Sequence, residues 1–112
     1  MAKVEIVQSL KEEVYKKFGG ESVIVFKFMK SLEDNPHKGK SLGSVGGILI
    51  KELKYKNFRF YFIVDGQKLR LFSEEELKDL LIRFVRMSDK KDQQKTIEEI
   101  RVILRKFEEE GF

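Results

Sequence analysis

Basic and polar side chains in the middle of the sequence are spaced so that they could form one phosphate-binding surface. They stand at alternating positions along residues 47–72, a segment that reads as three β-strands, and alternate residues of a strand share one face. A guanidinium can bind a phosphate through two parallel hydrogen bonds, and clustered ammonium groups add a local positive field. The shared face would carry Glu52, Lys54, Arg59, Tyr61, Lys68 and Arg70.

Two tight turns are expected to position that face. Lys56-Asn57 would join the first two strands and Asp65-Gly66 the second and third, because Asp tolerates and Gly readily adopts the positive φ angles of a two-residue hairpin turn. The opposite face would then form the hydrophobic core, and a slip of one residue would bury the charges. That core face would carry Leu53, Phe58, Phe60, Phe62, Leu69 and Leu71.

The composition bounds the class of protein. The 112 residues, 41% hydrophobic and 38% charged, predict a single globular domain over 1–112. No apolar run approaches the roughly 20 residues that cross a bilayer, and residues 1–8 are too charged for an export signal. We therefore expect no membrane association and a cytoplasmic location. Because the chain has no cysteine, disulfides, thiolate catalysis and cysteine-ligated metals are excluded.

The net charge of +4 is unevenly distributed, with basic residues concentrated between residues 51 and 95. A local positive field of this kind attracts a phosphate backbone even when the whole protein is only mildly basic. A solvated, lysine-rich surface without a nucleic-acid ligand explains the same charge. Charge alone leaves both interpretations open.

No metal or cofactor site is predicted. His37 is the only histidine, and only scattered carboxylates could accompany it as ligands. It begins a loop predicted over 37–47, whose four glycines lack the spacing of a nucleotide-binding loop. We expect neither a metal ion nor an organic cofactor.

Helices are predicted on both sides of the strand segment. A short strand over 4–7 precedes a first helix capped by Ser9, and a second helix runs from about 21 to 33, before Pro36. A last helix begins at a Thr96 cap. Each helix carries one apolar stripe: Leu10, Val14 and Phe18; Val25, Phe28, Met29 and Leu32; and Ile97, Ile100, Ile103, Leu104 and Phe107.

The segment after Phe72 fits two structures. Ser73 and Glu76 form a capping box, and the apolar residues that follow have helical spacing, which favours a helix from 74 to about 86. The apolar segment LLIRFV also fits a buried strand, because periodicity cannot separate the two in so short a run.

The order of these elements and several short strings resemble the RelE superfamily of toxins from toxin–antitoxin pairs, most of all its phage-derived, HigB-type branch. LEDNPHKGKSLGSVGG is similar to the L-x-x-N-P-x-x-G-x-x-L pattern that leads into the family's sheet. IKELKYKNFRFYFIVDG resembles the branch's E-L-R, followed by R-x-x-Y or R-x-x-F and an Asp-Gly turn. LLIRFVRMSDKKDQQKTIEEI resembles its apolar strand ending in F-V-K-K, a Lys/Gln-rich loop and a closing helix.

The resemblance implies an α+β, RelE-like fold. In such proteins the F-V-K-K segment is a strand, so we expect a helical turn near 74–78 and a strand near 79–86. An N-terminal strand and helical hairpin would pack on a twisted, mostly antiparallel β-sheet, with a C-terminal helix nearby.

The resemblance also implies a function. Such proteins are the toxin components of toxin–antitoxin pairs, metal-free endoribonucleases that cleave mRNA on the ribosome and are held inactive by a cognate antitoxin protein. Arg59 matches the family's sheet arginine and would clamp the scissile phosphate, Lys54 stands at the R of E-L-R, and Arg86 at the first basic residue of F-V-K-K. With Glu52 they form the predicted catalytic group. Predicted RNA contacts are Tyr61, Lys68, Arg70, Lys90, Lys91 and Lys95.

The chain departs from the family pattern in ways that keep alternatives open. Met87 replaces the second Lys of F-V-K-K, and no Tyr or His follows Tyr61, whereas many relatives carry a proton-transfer residue near the C-terminus. The chain could therefore be a catalytically weak or inactive RelE-fold protein that binds RNA or a protein partner, or a gyrase poison like the related ParE branch. Lys54 and Arg59 could also simply form cross-strand charge pairs with Glu52. The sequence does not indicate an oligomeric state.

Overall fold

A five-stranded, mostly antiparallel sheet lies at the centre of the molecule. The computed structural model describes the backbone of residues 1–110 and the side chains of residues 1–108, so the last two residues of the predicted domain 1–112 lie outside the described residues. The strands are β1 (Lys3–Ile6), β2 (Lys40–Val45), β3 (Ile48–Tyr55), β4 (Phe58–Asp65) and β5 (Leu81–Asp89). Their order is β1-β5-β4-β3-β2, and only β1 and β5 pair in parallel.

Helices cover both faces of this sheet, and the architecture is α+β as predicted. They are α1 (Gln8–Phe18), α2 (Ser22–Lys30), α3 (Gly66–Leu71) and α4 (Gln93–Glu110), with 3-10 turns at Gly19–Glu21, Ser31–Glu33 and Glu76–Asp79. The α1–α2 hairpin packs on one face, and α4 packs on the other. In the part of the chain that the structure describes, no helix is long and apolar enough to cross a bilayer.

The main core lies between the sheet and the α1–α2 hairpin. Phe60, Phe62 and Phe84 are fully buried there, beside the buried stripes of both helices. The β3–β4 register is the predicted one, with Leu53 opposite Phe60, and the turn at Lys56-Asn57 places Lys56 at φ 53°. Strand alternation therefore predicted the core face of this hairpin correctly.

A smaller core lies beneath α4, on the face predicted to be charged and wet. Ile97, Ile100 and Leu104 pack there on Ile50 and Tyr61. The other two residues of the predicted stripe, Ile103 and Phe107, are 39% and 50% exposed. The second face is thus partly covered by a helix, and only the remainder is open to solvent.

The predicted hairpin turn at Asp65-Gly66 is wrong. Asp65 caps α3 instead: its Oδ1 accepts hydrogen bonds from the backbone N–H groups of Gln67 and Lys68, at 3.0 and 3.1 Å. Asp favours a helix N-cap as well as a tight turn, and the local sequence did not separate the two. Neither Leu69 nor Leu71 pairs with β4, and Leu71 is 73% exposed rather than part of the core.

Other local predictions also need correction. The sequence predicts a loop over 37–47, but residues 40–45 form the edge strand β2. Ser9 and Thr96 are not N-caps, because α1 begins at Gln8 and α4 at Gln93. Thr96 lies inside α4, where its hydroxyl donates a hydrogen bond to the carbonyl of Asp92 at 2.9 Å.

The segment after Phe72 carries sequence signals for a helix and for a strand, and most of it is a strand in the structure. The capping box forms, with the Ser73 N–H donating to Glu76 Oε1 at 3.2 Å and the Glu76 N–H to Ser73 Oγ at 3.3 Å. It begins only a 3-10 turn, after which β5 follows as the resemblance implied. Pairing with β1 ends at Phe84, so no described strand pairs with residues 85–89 on the outer side of β5.

A β-bulge in β5 decides the face that Arg86 occupies. Phe62 pairs with Phe84, but Tyr61 pairs with Arg86, so Val85 is an extra residue in β5. Strict alternation would place Arg86 on the core face with Phe84. The bulge turns Arg86 onto the face that α4 partly covers.

Lys51 is a buried ammonium on the core face. It is 5% exposed, its Nζ donates a hydrogen bond to the carbonyl of His37 at 2.9 Å, and it lies 5.9 Å from the centre of the Phe62 ring. Burial lowers the pKa of Lys51 below its ordinary value of 10.5, because the charged form loses hydration.

We expect this burial to make stability depend on pH. Between the folded-state pKa of Lys51 and 10.5 the unfolded chain binds more protons, so the free energy of unfolding should rise with pH across that window. Lys51→Met should remove this rise, as measured by urea denaturation from neutral pH to above 10.5. Lys54→Met, at an exposed position on the other face, is the control and should retain it. If the free energies of unfolding of wild type and Lys51→Met differ by the same amount at every pH, the expectation is wrong.

Candidate functional site

Two rows of side chains cross the sheet on the face that α4 partly covers. Cross-strand pairing places Lys54, Arg59 and Ser88 in one row, and Glu52, Tyr61 and Arg86 in the next. Because neighbouring strands lie about 4.8 Å apart, side chains of adjacent strands can contact one small anion. All four residues of the predicted catalytic group, Arg59, Lys54, Arg86 and Glu52, lie in these rows. The bulge and the β3–β4 hairpin are the features that bring them together.

Arg59 is a buried cation that forms no ion pair with any described side chain. It is only 9% exposed, and its Nε is buried with no hydrogen-bond partner. None of the ion pairs among the described side chains involves Arg59, Lys54 or Glu52. The cross-strand charge pairs considered as an alternative are therefore not formed, and the residue directly opposite Arg59 on β3 is the like-charged Lys54. A buried, unpaired polar group costs about 1–3 kcal/mol.

Tyr61 lies between the predicted catalytic residues, but it is fully buried. Its hydroxyl is hydrogen bonded to Ser88 Oγ at 2.7 Å, and its ring packs beneath α4. Burial raises the pKa of Tyr61, so the phenol stays protonated. In this structure the ring cannot stack on a nucleic-acid base, and Tyr61 instead joins β4 to β5 and to α4.

Glu52 and Arg86 flank Tyr61 in the second row. Glu52 is 7% exposed, and its Oε2 accepts a hydrogen bond from Gln93 Nε2 of α4 at 3.2 Å. Arg86 is half-buried, with Nη1 donating to the carbonyl of Val85 at 2.8 Å. Glu52 is therefore engaged with α4, whereas Arg86 retains further donors for a ligand.

The remaining predicted RNA contacts fall into two groups. Lys90, Lys91 and Lys95 are exposed where β5 leads into α4, at the same end of the sheet as Ser88. Lys68 and Arg70 are exposed on α3, which follows the other end of β4. The structure therefore separates Lys68 and Arg70 from the two rows, contrary to the predicted single basic face.

A cleft of about 230 Å³ opens beside the first row, at the outer edge of β5 that β1 leaves unpaired. Ser88 lines both the row and the cleft, together with Lys95 and Thr96 of α4. Helix α1 contributes Glu13 to the same cleft. The Glu13 side chain is exposed overall, but partial burial raises the pKa of its carboxyl, while the nearby charges of Arg86 and then Lys17 act to lower it.

Sequence reasoning missed Ser88, Gln93 and Glu13. Ser88 follows Arg86 by two residues, so a strand extended to 89 would have placed both on one face. Gln93 lies three residues before the predicted helix start. No local signal distinguishes Glu13 from the neighbouring Glu12, because its position in the cleft depends on how α1 packs against β5.

Among the described residues, no group of three or more His, Asp or Glu side chains is placed to hold a metal ion. Comparison of the chain with protein-family models, with curated proteins and with solved structures gave no match.

Proposed function

We propose that the chain is a RelE-like, HigB-type toxin that cleaves mRNA on the ribosome without a metal ion. One observation carries this proposal: the buried guanidinium of Arg59, with an unpartnered Nε, lies in a row with the exposed Lys54 and next to the row of Arg86. Three cations in two adjacent rows form a site for a compact anion, and the phosphodiester of RNA is the anion that the resemblance implies.

The order of elements supports the same proposal. A strand and a helical hairpin precede antiparallel strands, a 3-10 turn, a further strand, a lysine-rich loop and a closing helix. Apart from α3, which follows β4 where the strings imply an Asp-Gly turn, this is the order that the HigB-type strings in the sequence imply. In the proposed setting the protein acts in the cytoplasm, and a cognate antitoxin covers it when it is inactive.

Cleavage of RNA places three chemical requirements on the site. The ribose 2′ oxygen must lose a proton, the phosphorus must carry extra negative charge in the transition state, and the departing 5′ oxygen must gain a proton. Arg59 and Lys54 would stabilise the extra negative charge at phosphorus, and Arg86 would add positive charge from the next strand. Lys90, Lys91 and Lys95 would bind neighbouring phosphates of the message or of ribosomal RNA.

A second candidate is a RelE-fold protein that binds RNA without cutting it. It is favoured by the two rows themselves, in which neither the phenol nor the carboxylate is open to a ligand: Tyr61 is buried with a raised pKa, and Glu52 is engaged by Gln93. Such a protein would bind RNA in a salt-dependent manner and leave it intact.

The deciding experiment adds the wild-type chain to bacterial ribosomes that translate a defined message and maps 5′ ends by primer extension. We expect new ends within the translated region, and none with Arg59→Ala. Arg83→Ala is the matched control, because Arg83 is an exposed arginine of β5 that pairs with Glu5 at 3.1 Å, toward the other end of the strand. Intact message with salt-sensitive RNA binding would establish the second candidate instead.

A further inference from the structure

The two rows provide positive charge but lack an open proton acceptor. Glu52 is the only carboxylate in them, and it is 7% exposed with one oxygen occupied by Gln93. The reaction proposed above still needs a group that takes the ribose 2′ proton. A carboxylate or imidazole that serves as the base must therefore come from another element.

The cleft at the outer edge of β5 supplies one. Ser88 is the cross-strand neighbour of Arg59, and the same Ser88 lines the cleft that Glu13 of α1 also lines. Arg59 on β4 and Ser88 on β5 lie on adjacent strands, about 4.8 Å apart, and Ser88 lines the cleft. A nucleotide whose phosphate contacts Arg59 would thus extend its ribose over Ser88 toward α1.

The charges around Glu13 suit an ionised carboxylate that accepts a proton. Cations and anions face it from each element of the cleft: Lys17 from α1, Arg86 and Asp89 from β5, Asp92 from the loop before α4, and Lys95 and Glu99 from α4. Partial burial raises the pKa of the Glu13 carboxyl, with Arg86 and Lys17 opposing that rise. A carboxylate with a raised pKa is a stronger base than an ordinary surface glutamate.

We propose that Glu13 is the general base of this site, an inference that rests on the proposed ribonuclease function. The Glu13 carboxylate removes the proton of the 2′ hydroxyl while O2′ forms a bond to phosphorus. The bond between phosphorus and O5′ breaks, the departing O5′ takes a proton from water, and the products are a 2′,3′-cyclic phosphate and a free 5′ hydroxyl. Glu13 then returns its proton to solvent.

The test compares Glu13→Gln with wild type in single-turnover cleavage of a defined message on bacterial ribosomes, across pH 4 to 8. Removing a general base should lower the cleavage rate by about 100-fold or more. The wild-type rate should rise with pH through the Glu13 pKa and then level off, because the base must be deprotonated, and Glu13→Gln should lose that rise. Glu13→Asp, which keeps the carboxylate, should retain the rise at a reduced rate.

Two controls separate chemistry from structure and binding. Glu12→Gln changes the neighbouring exposed glutamate of α1 and should cleave like wild type. Affinity for the same message with a 2′-O-methyl group at the cleaved nucleotide should be equal for wild type and Glu13→Gln.

The test distinguishes failure of the inference about Glu13 from failure of the ribonuclease proposal. If wild type cleaves and Glu13→Gln cleaves equally fast with the same pH profile, the inference about Glu13 is wrong and the ribonuclease proposal stands. If Glu13→Gln loses activity only because it binds the message more weakly, the role as a base is also wrong. If wild type cuts no message, both proposals fail together.

Discussion

Replacement of Arg59 by methionine should move stability and activity in opposite directions. The guanidinium is buried without a partner for its Nε, so an apolar side chain of similar length should raise the free energy of unfolding by about 1–3 kcal/mol. The same change removes the proposed phosphate clamp and should lower cleavage of translated message by about 100- to 1000-fold. Urea denaturation and primer extension on one preparation measure both effects.

The opposite signs make this variant informative. A destabilised Arg59→Met would show that the buried guanidinium contributes to the fold, and it would remove the main argument for an anion site. Inorganic phosphate provides a further check, since it should stabilise wild type but not Arg59→Met in thermal denaturation. Lys54→Met is the comparison for stability, because its side chain is exposed and its loss should change stability little.

The second large effect is expected in the main core. Phe62 is fully buried, and its ring centre lies 4.9 Å from that of Phe84 on the adjacent strand. Phe62→Ala should lower the free energy of unfolding by about 3–5 kcal/mol, because it removes the ring and leaves a cavity between the sheet and the helical hairpin. Urea denaturation followed by far-ultraviolet circular dichroism measures the loss.

A half-exposed phenylalanine provides the control for this substitution. Phe107 of α4 is 50% exposed, so Phe107→Ala should lower the free energy of unfolding much less than Phe62→Ala does. Equal losses for the two variants would mean that burial in the main core is not what makes Phe62 important.

The sequence predicted those parts of the fold in which local pattern and burial agree. Alternation in β3 and β4 placed Phe60 and Phe62 on the core face and Arg59 on the other, because one register buries the aromatic residues and any slip would bury charges. Predicting β5 as a strand required the resemblance, because the Ser73–Glu76 capping box favours a helix. The capping box does form, but it begins only a 3-10 turn.

The errors share a physical cause, which is that a local signal can serve more than one structure. Asp65 is a good turn residue and an equally good N-cap, and in the fold it caps α3, whose Leu69 is buried in the main core. The candidate site depended on non-local features. The bulge at Val85 turns Arg86 toward Tyr61, and α4 buries Tyr61, although its position in β4 predicted a wet surface. The position of Glu13 follows from helix packing and has no sequence signature.

The unpaired outer side of β5 also bears on whether another strand could pair with this sheet. An open strand edge is a template for pairing with another sheet, and residues 85–89 form such an edge. Two of its carbonyls are already occupied by side chains of the same stretch, with Arg86 Nη1 bonded to Val85 and Ser88 Oγ to Asp89. The bulge interrupts its regular spacing, and the charged side chains of Glu13, Lys17 and Lys95 stand on its two flanks. An added strand would have to displace these contacts, which should disfavour pairing of this edge with another sheet.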